Sequence, residues 1–150
     1  MRKLILMNSH VARGRVGARA AAAAIERLGG DVDIVHSVSL SRTPGAMSRP
    51  AGGPRADAAI AELDDLIRDA PTGALIASGY LGAPRLAEAL PPRAAAIRSK
   101  GGRYLCDPVM GDVDRGLYVP ADLAAAIAET LLPAADIATP NGFELARLVG

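Results

Sequence analysis

The chain has 150 residues, of which 50% are hydrophobic and 22% charged, and its formal net charge is +1. A chain of this length buries about two thirds of its unfolded surface, which predicts one compact domain over residues 1–150. The low charge and the 3% aromatic content argue against a nucleic-acid partner, which would need a basic surface or stacking rings. The single cysteine and the lack of a long apolar segment indicate a reducing, cytoplasmic location and no membrane partner.

Apolar runs of strand length alternate with helical periodicities along the chain. The apolar runs predict strands at residues 3–8, 32–40, 74–78, 104–107 and 136–138. The periodic segments predict helices at residues 14–28, 57–68, 84–90, 94–100, 121–131 and 144–148, with Pro91-Pro92 separating the third from the fourth. This alternation predicts an α/β fold with a mostly parallel sheet, helices on both faces and the first strand at the centre.

Residues 41–54 form a long segment without sustained periodicity. They contain three prolines and three glycines, which favour turns and loops. Because a loop of this length in a compact domain is often a lid over a binding site, we predict a lid loop at about 41–54.

Four short segments directly follow predicted strands and begin near Ser9, Ser78, Asp107 and Thr139. The carboxyl ends of parallel strands meet at one edge of a sheet, where α/β proteins bind ligands. We therefore expect the four segments to converge on one site. Ser9 could hydrogen-bond a small ring and Tyr80 could form a flat pocket wall, although structural roles for both stay open.

The segment Cys106-Asp107-Pro108-Val109-Met110-Gly111-Asp112 places two carboxylates near one strand end. Pro108 keeps Asp107 at the strand tip, outside a helix. Two acids in this arrangement can organise Mg²⁺ near a nucleotide phosphate. They could equally cap a turn and lie in a solvated loop.

Thr139-Pro140-Asn141 opens the last predicted helix, and Glu144 follows Asn141 by three residues. This spacing predicts a capping box, in which Asn141 is the N-cap and Glu144 bonds back to it. Capping alone explains both residues. A functional alternative adds that they reach a metal's water shell or a nucleotide at the same edge of the sheet.

Common nucleotide-binding and hydrolase signatures do not occur in the sequence. GxGxxG and GxxxxGK[ST] are absent, which excludes the usual dinucleotide fingerprint and the Walker A cradle. Ser78 lacks a GxSxG elbow, and no local nucleophile, base and acid signature is present. Hydrolysis by a catalytic triad is therefore disfavoured.

Together the segments resemble those of pyridoxal kinases, within the ribokinase-like superfamily of small-molecule kinases. The resemblance is carried by Ser9-His10-Val11, Ser78-Gly79-Tyr80-Leu81-Gly82, Asp107-Pro108-Val109-Met110-Gly111-Asp112 and Thr139-Pro140-Asn141 with Glu144. It extends along the whole chain and implies a ribokinase-like fold. By this resemblance, residues 1–150 are the N-terminal, substrate-side portion of a kinase domain.

The resemblance implies phosphoryl transfer from MgATP to the 5′-hydroxymethyl group of pyridoxal, in vitamin B6 salvage. The substrate would be bound by Ser9, Thr43, Pro44 and Tyr80, with Thr43 and Pro44 in the lid. The family also implies a homodimer.

The same resemblance assigns a nucleotide and metal side. ATP would be bound by Asp107, Thr139 and Glu144, and Mg²⁺ would be held by Asp107, Asp112, Asn141 and Glu144. No catalytic base is expected in this chain, because the family's base lies in a GxGD turn of the second half. No GxGD occurs here, so we expect the chain alone to be inactive and its C-terminal half to be absent.

The lid departs from the family pattern, since Arg42-Thr43-Pro44-Gly45 replaces asparagine, histidine, threonine and glycine. Proline cannot supply a hydroxyl to the substrate, so the identity of the bound ring is open. The alternatives are a hydroxymethylpyrimidine or other small-molecule kinase of the same superfamily, a non-catalytic pyridoxal-binding module, and a decayed gene product with an unpaired sheet edge.

Overall fold

The computed structural model describes residues 3–43 and 51–150, and its centre is a six-stranded sheet. The sheet strands are β1 (Lys3–Arg13), β2 (Asp31–Arg42), β3 (Gly52–Pro54), β4 (Leu75–Ser78), β5 (Arg103–Cys106) and β8 (Ile137–Ala138), and β6 (Gly111–Asp112) pairs separately with β7 (Gly116–Leu117). The α-helices are α1 (Ala18–Arg27), α2 (Ala56–Asp69), α3 (Pro84–Ser99), α4 (Ala121–Ala126) and α5 (Gly142–Val149).

The strand order is β3-β2-β1-β4-β5-β8, which places β1 inside the sheet as predicted. Every pair of neighbours is parallel except β2 and β3. The predicted α/β fold with a mostly parallel sheet is therefore confirmed.

Helices cover both faces of the sheet. Ile5 and Met7, which point to one face of β1, belong to the main hydrophobic core together with the buried stripes of α2 and α3. The buried Ala18 and Ala22 of α1 lie outside that core, although α1 contacts β1 and β2. Helix α1 therefore packs on the opposite face, whereas α2 and α3 share the core face.

The first strand is longer than predicted, because it continues from Asn8 to Arg13. Its register with β2 shifts between Asn8 and His10, and pairing then resumes as far as Arg13 and Arg42. Ser9 therefore lies within the strand, at an irregularity that bends the two strands. Helix α1 begins at Ala18, since Gly14 and Gly17 have φ values of 136° and 59° and form the preceding turn.

The predicted break at Pro91-Pro92 is wrong, because α3 is continuous from Pro84 to Ser99. Its buried residues form one helical stripe on both sides of the prolines: Leu86, Ala87, Leu90, Ala94 and Ile97. Burial of this stripe against the core offsets the local cost of two prolines, which lack N–H donors.

The ends of the predicted lid are part of the sheet. Strand β2 continues to Arg42, and β3 pairs antiparallel with it through Leu40 and Gly52. Residues 44–50, including the predicted substrate residue Pro44, lie outside the described residues.

The helix predicted at 121–131 is α-helical only to Ala126, followed by a π turn (Ile127–Leu131) and a 3₁₀ turn (Leu132–Ala134). No helix in residues 3–43 and 51–150 is long and apolar enough to span a bilayer.

Candidate functional site

A cavity of about 980 Å³ lies at the carboxyl ends of β1, β4 and β5. Five of the predicted site residues line it: Ser9, Thr43, Tyr80, Asp107 and Asp112. Three other predicted residues, Thr139, Asn141 and Glu144, are outside its lining. The structure thus places three of the four residues predicted to bind the substrate, and two predicted metal ligands, around one space.

One side of the cavity is built around the end of β1. Asn8 Oδ1 accepts hydrogen bonds from the backbone N–H groups of Ser9 at 2.8 Å and Tyr80 at 3.2 Å. This side chain therefore joins β1 to the loop after β4. A Cβ atom at Gly17 would overlap Ser9 Oγ, so the start of α1 can approach Ser9 only because residue 17 is glycine.

The rest of this side is apolar and belongs to α1 and the strand ends. Val11, Val16, Ala20, Ala21 and Leu40 line the cavity. Their small or flat surfaces suit an aromatic ring, and a mostly apolar wall with few polar groups is typical of a small-molecule site. The sequence showed only an alanine-rich helix here, and gave no signal that alanines of α1 face a cavity.

Asp107 follows β5 directly, as predicted. Its backbone N–H donates to Ser78 O at 2.9 Å, but its carboxylate accepts no hydrogen bond from the residues that the structure describes. Burial and, secondly, the negative charge of Glu144 raise the pKa of Asp107 to about 6. An unpaired carboxylate facing a cavity is available to a metal ion or another cationic group.

Asp112 and Arg115 belong to the β6–β7 hairpin and add opposite charges to the cavity. Asp112 Oδ1 accepts from the Arg115 backbone N–H at 2.8 Å, while the Arg115 guanidinium is 4.0 Å from Asp112 Oδ2. Within the described part of the chain, Arg115 is the only cation that lines the cavity. Sequence reasoning missed it because a lone arginine in a turn is ordinarily solvated.

Glu144 lies below the cavity and has both carboxylate oxygens engaged. It is 2% exposed; Oε1 accepts from Met110 N–H at 3.0 Å, and Oε2 from Asn141 N–H at 2.9 Å. Asn141 Oδ1 accepts from Glu144 N–H, which completes the predicted capping box. Asn141 Nδ2 also donates to Gly111 O at 2.9 Å, so the two residues fix the loop that connects Asp107 to Asp112.

Of the four residues predicted to hold magnesium, two are better suited to bind the ion than the other two. No group of three or more His, Cys, Asp or Glu side chains suited to a metal occurs among the described residues. Mg²⁺ commonly needs only one or two protein carboxylates when phosphate oxygens and waters complete its shell. Asp107 and Asp112 face the cavity and can supply them, whereas Asn141 and Glu144 would first have to give up hydrogen bonds.

Thr139 marks the exposed end of β8, where its backbone N–H donates to Cys106 O at 3.0 Å. Cys106 itself is buried, and burial raises the pKa of its thiol to about 11. Because the thiol stays protonated at neutral pH, it is not a nucleophile here.

Curated proteins with similar sequences include pyridoxal kinases. The chain is 40% identical to the pyridoxal kinase PdxY of Deinococcus radiodurans, an alignment that covers 99% of this chain and 51% of that protein. It is 34% identical to the pyridoxal kinase of Ovis aries over 99% of this chain and 49% of the relative. No protein-family model matches the chain.

Among solved structures, the pyridoxal kinase from Leishmania donovani in complex with ADP superposes with a TM-score of 0.85 and 31% identity. The match covers 97% of this chain and 51% of that one. The chain spans about half the length of the curated relatives it matches. The predicted resemblance is therefore confirmed: along nearly its whole length, this chain is similar to about half of a pyridoxal kinase.

Proposed function

We propose that the protein containing this chain phosphorylates the 5′-hydroxymethyl group of pyridoxal with MgATP, and that residues 1–150 form its substrate side. The observation that supports this most is that Ser9, Thr43 and Tyr80 line the same cavity as Asp107 and Asp112. An alcohol substrate and a magnesium-bound phosphate have to meet in one such space for phosphoryl transfer.

Pyridoxal would occupy the part of the cavity near β1. Ser9 would contact the ring, and the half-buried ring of Tyr80 would line the pocket. Burial raises the pKa of Tyr80, so its hydroxyl remains protonated and neutral. Thr43, which belongs to the lid proposed at 41–54, would cover the substrate once it is bound.

The nucleotide would occupy the part near β5. Asp107 and Asp112 would hold Mg²⁺, directly or through water, and the ion when bound neutralises charge on the phosphates. Thr139 would lie beside the nucleotide, while Glu144 and Asn141 would support the site by fixing residues 110–111. Arg115, whose guanidinium lies 4.0 Å from Asp112 Oδ2, would contact a phosphate oxygen from the same hairpin.

Proteins with similar structures bind the expected ligands. The Leishmania donovani pyridoxal kinase has been solved with ADP and pyridoxamine, and it is 31% identical to this chain. By the same similarity we propose ATP and a B6 vitamer as ligands, and a homodimer that works in the cytoplasm.

The test measures ATP-dependent phosphorylation by the protein as its own cells make it, with pyridoxal, pyridoxine, pyridoxamine and a hydroxymethylpyrimidine as acceptors. We expect pyridoxal to be consumed only with Mg²⁺ and ATP. The Ser9→Ala variant should raise KM for pyridoxal by about tenfold, the effect of one hydrogen bond to the substrate, and leave KM for ATP unchanged.

The matched control is Ser99→Ala. The Ser99 hydroxyl is exposed and, among the described residues, bonds only Ala96 O on α3, so we expect the kinetics of this variant to equal those of the wild type. If the protein phosphorylated the hydroxymethylpyrimidine in preference to pyridoxal, the proposed substrate would have to be changed to a pyrimidine alcohol. Pyridoxal binding without ATP consumption would contradict the kinase and support a binding module.

A further inference from the structure

The orientation of the Asn8 carboxamide is determined by the hydrogen-bond donors around it. Its Oδ1 faces two backbone donors, the N–H groups of Ser9 and Tyr80. Turning the carboxamide by 180° would point its NH₂ group at two N–H groups, neither of which can accept a hydrogen bond. The Nδ2 atom must therefore lie at the other end of the amide, away from both backbone groups.

That Nδ2 is an open donor at the cavity. Asn8 lines the cavity, and no acceptor among the described residues bonds to its Nδ2. In the described part of the chain, Arg93 Nε is the only side-chain polar atom that is both fully buried and without a hydrogen-bond partner. Because Asn8 Nδ2 has no partner either, it cannot be fully buried and must be accessible from the cavity. A Cβ at residue 79 would overlap this carboxamide, so Gly79 leaves it room.

We propose that Asn8 Nδ2 donates a hydrogen bond to an acceptor atom on the ring of the bound substrate and thereby selects rings that carry such an atom. The inference rests on the proposed function, which supplies pyridoxal as a ring with two candidate acceptors, its ring nitrogen and its 3-oxygen. The donor is preorganised, because the two hydrogen bonds to Oδ1 hold the amide before the substrate arrives.

Asn8 is also well placed to distinguish rings that carry an acceptor atom from rings that do not. Most of the surrounding wall is apolar (Val11, Val16, Ala20, Ala21 and Leu40), so a ring can be oriented only by the few polar groups present. A bound ring without an acceptor would leave the Asn8 donor unpaired in a partly desolvated pocket, which costs binding free energy.

The test is Asn8→Asp in the full-length protein, with the dissociation constants of pyridoxal and MgATP measured separately. Aspartate keeps an acceptor for the Ser9 and Tyr80 N–H groups and replaces only the donor by an oxygen. We expect pyridoxal to bind about tenfold more weakly or worse, MgATP affinity to stay unchanged, and the urea midpoint to be no lower than that of the wild type.

The control for added charge is Ala12→Asp, which places a carboxylate on an exposed position of β1 outside the cavity lining and should leave pyridoxal binding unaffected. Two analogues then identify the partner atom, one lacking the 3-oxygen and one with a benzene ring in place of pyridine. The analogue that lacks the bonded acceptor should bind wild type and Asn8→Asp equally.

Equal pyridoxal affinity in the wild type and Asn8→Asp would overturn the inference and leave the proposed function intact. Continued sensitivity of both analogues to the substitution would also overturn it, because the effect would then not depend on either acceptor. Failure of the wild type to bind pyridoxal would instead contradict the proposed function.

Discussion

Asp107 and Glu144 come from two different motifs and lie close enough for the charge of Glu144 to act on Asp107, yet their hydrogen bonding differs completely. Glu144 is 2% exposed, and each of its oxygens accepts a backbone N–H. Asp107 faces the cavity, and its carboxylate has no hydrogen-bond donor among the described residues. Both oxygens of Glu144 are therefore hydrogen-bonded within the fold, whereas the Asp107 carboxylate is open to the cavity.

The hydrogen bonds of Glu144 also determine the surroundings of Asp107. The bonds of Glu144 hold Met110 and Asn141, and so fix the loop between Asp107 and Asp112. Its negative charge is also the second cause of the raised pKa of Asp107. A satisfied carboxylate thus positions an unsatisfied one and makes it more ready to take a cation.

Removing the charge of Glu144 should produce the largest loss of stability. In Glu144→Gln, the amide NH₂ replaces one acceptor, so a buried backbone N–H of Met110 or Asn141 loses its partner. We expect the free energy of unfolding to fall by about 2–4 kcal/mol, measured by urea denaturation at pH 7.

The matched substitution Glu129→Gln, on an exposed residue, should change stability by less than about 0.5 kcal/mol. If both substitutions had the same small effect, Glu144 would not be a structural carboxylate and the comparison with Asp107 would fail.

The Asp107→Asn substitution should change the free energy of unfolding in the opposite direction and increase it. The folded pKa of Asp107 is about 6, against an ordinary value of 3.8, so its charged form is disfavoured by folding. The carboxylate lowers stability above pH 6, and this cost fades as the pH falls from 6 to 4. Because the Asp107 side chain is only partly buried, we expect Asp107→Asn to stabilise the metal-free protein by about 1 kcal/mol at pH 7.

Although Asp107→Asn should stabilise the protein, it should weaken the binding of MgATP, because it removes a proposed magnesium ligand. We expect MgATP affinity to fall at least about tenfold while pyridoxal affinity is retained. Asp65→Asn, at an exposed pair with Arg68, is the control for both measurements. A loss of stability at pH 7 would show that Asp107 has a partner in solution and is not an open carboxylate.

The sequence predicted the parts of the fold that depend on local patterns. The parallel strands are runs rich in apolar residues, so five of the six sheet strands were identified, including the exposed β8. Asp107 was placed correctly because Pro108 prevents a helix there, and the capping box followed from the spacing of Asn141 and Glu144. These features need only a few consecutive residues.

Features created by distant contacts could not be predicted. The second bond of Glu144 comes from Met110, 34 positions away, and the continuity of α3 across Pro91-Pro92 depends on core packing. Asn8 was overlooked because its role arises from Tyr80, 72 positions along the chain. A short motif contains no information about such partners.

Asp136 extends the comparison to a bonded carboxylate at the surface, where we expect the smallest effect. It accepts from Arg98 Nε at 2.9 Å and from the Tyr104 backbone N–H at 2.8 Å. These bonds, with that of Arg98 first, lower its pKa below 3.8. A lowered pKa means that the stabilisation is present above about pH 4 and is lost as the pH falls through the folded pKa, the reverse of the behaviour at Asp107.

We therefore expect Asp136→Asn to cost of order 0.5 kcal/mol at pH 7, and the difference from the wild type in thermal unfolding to shrink as the pH falls below about 4. High salt should shrink it as well, because the pair with Arg98 is partly exposed. If Asp136→Asn instead became less destabilising as the pH rose from 4 to 7, hydrogen bonding would not determine the pKa direction of these carboxylates. The contrast between bonded and open carboxylates would then have to rest on burial alone.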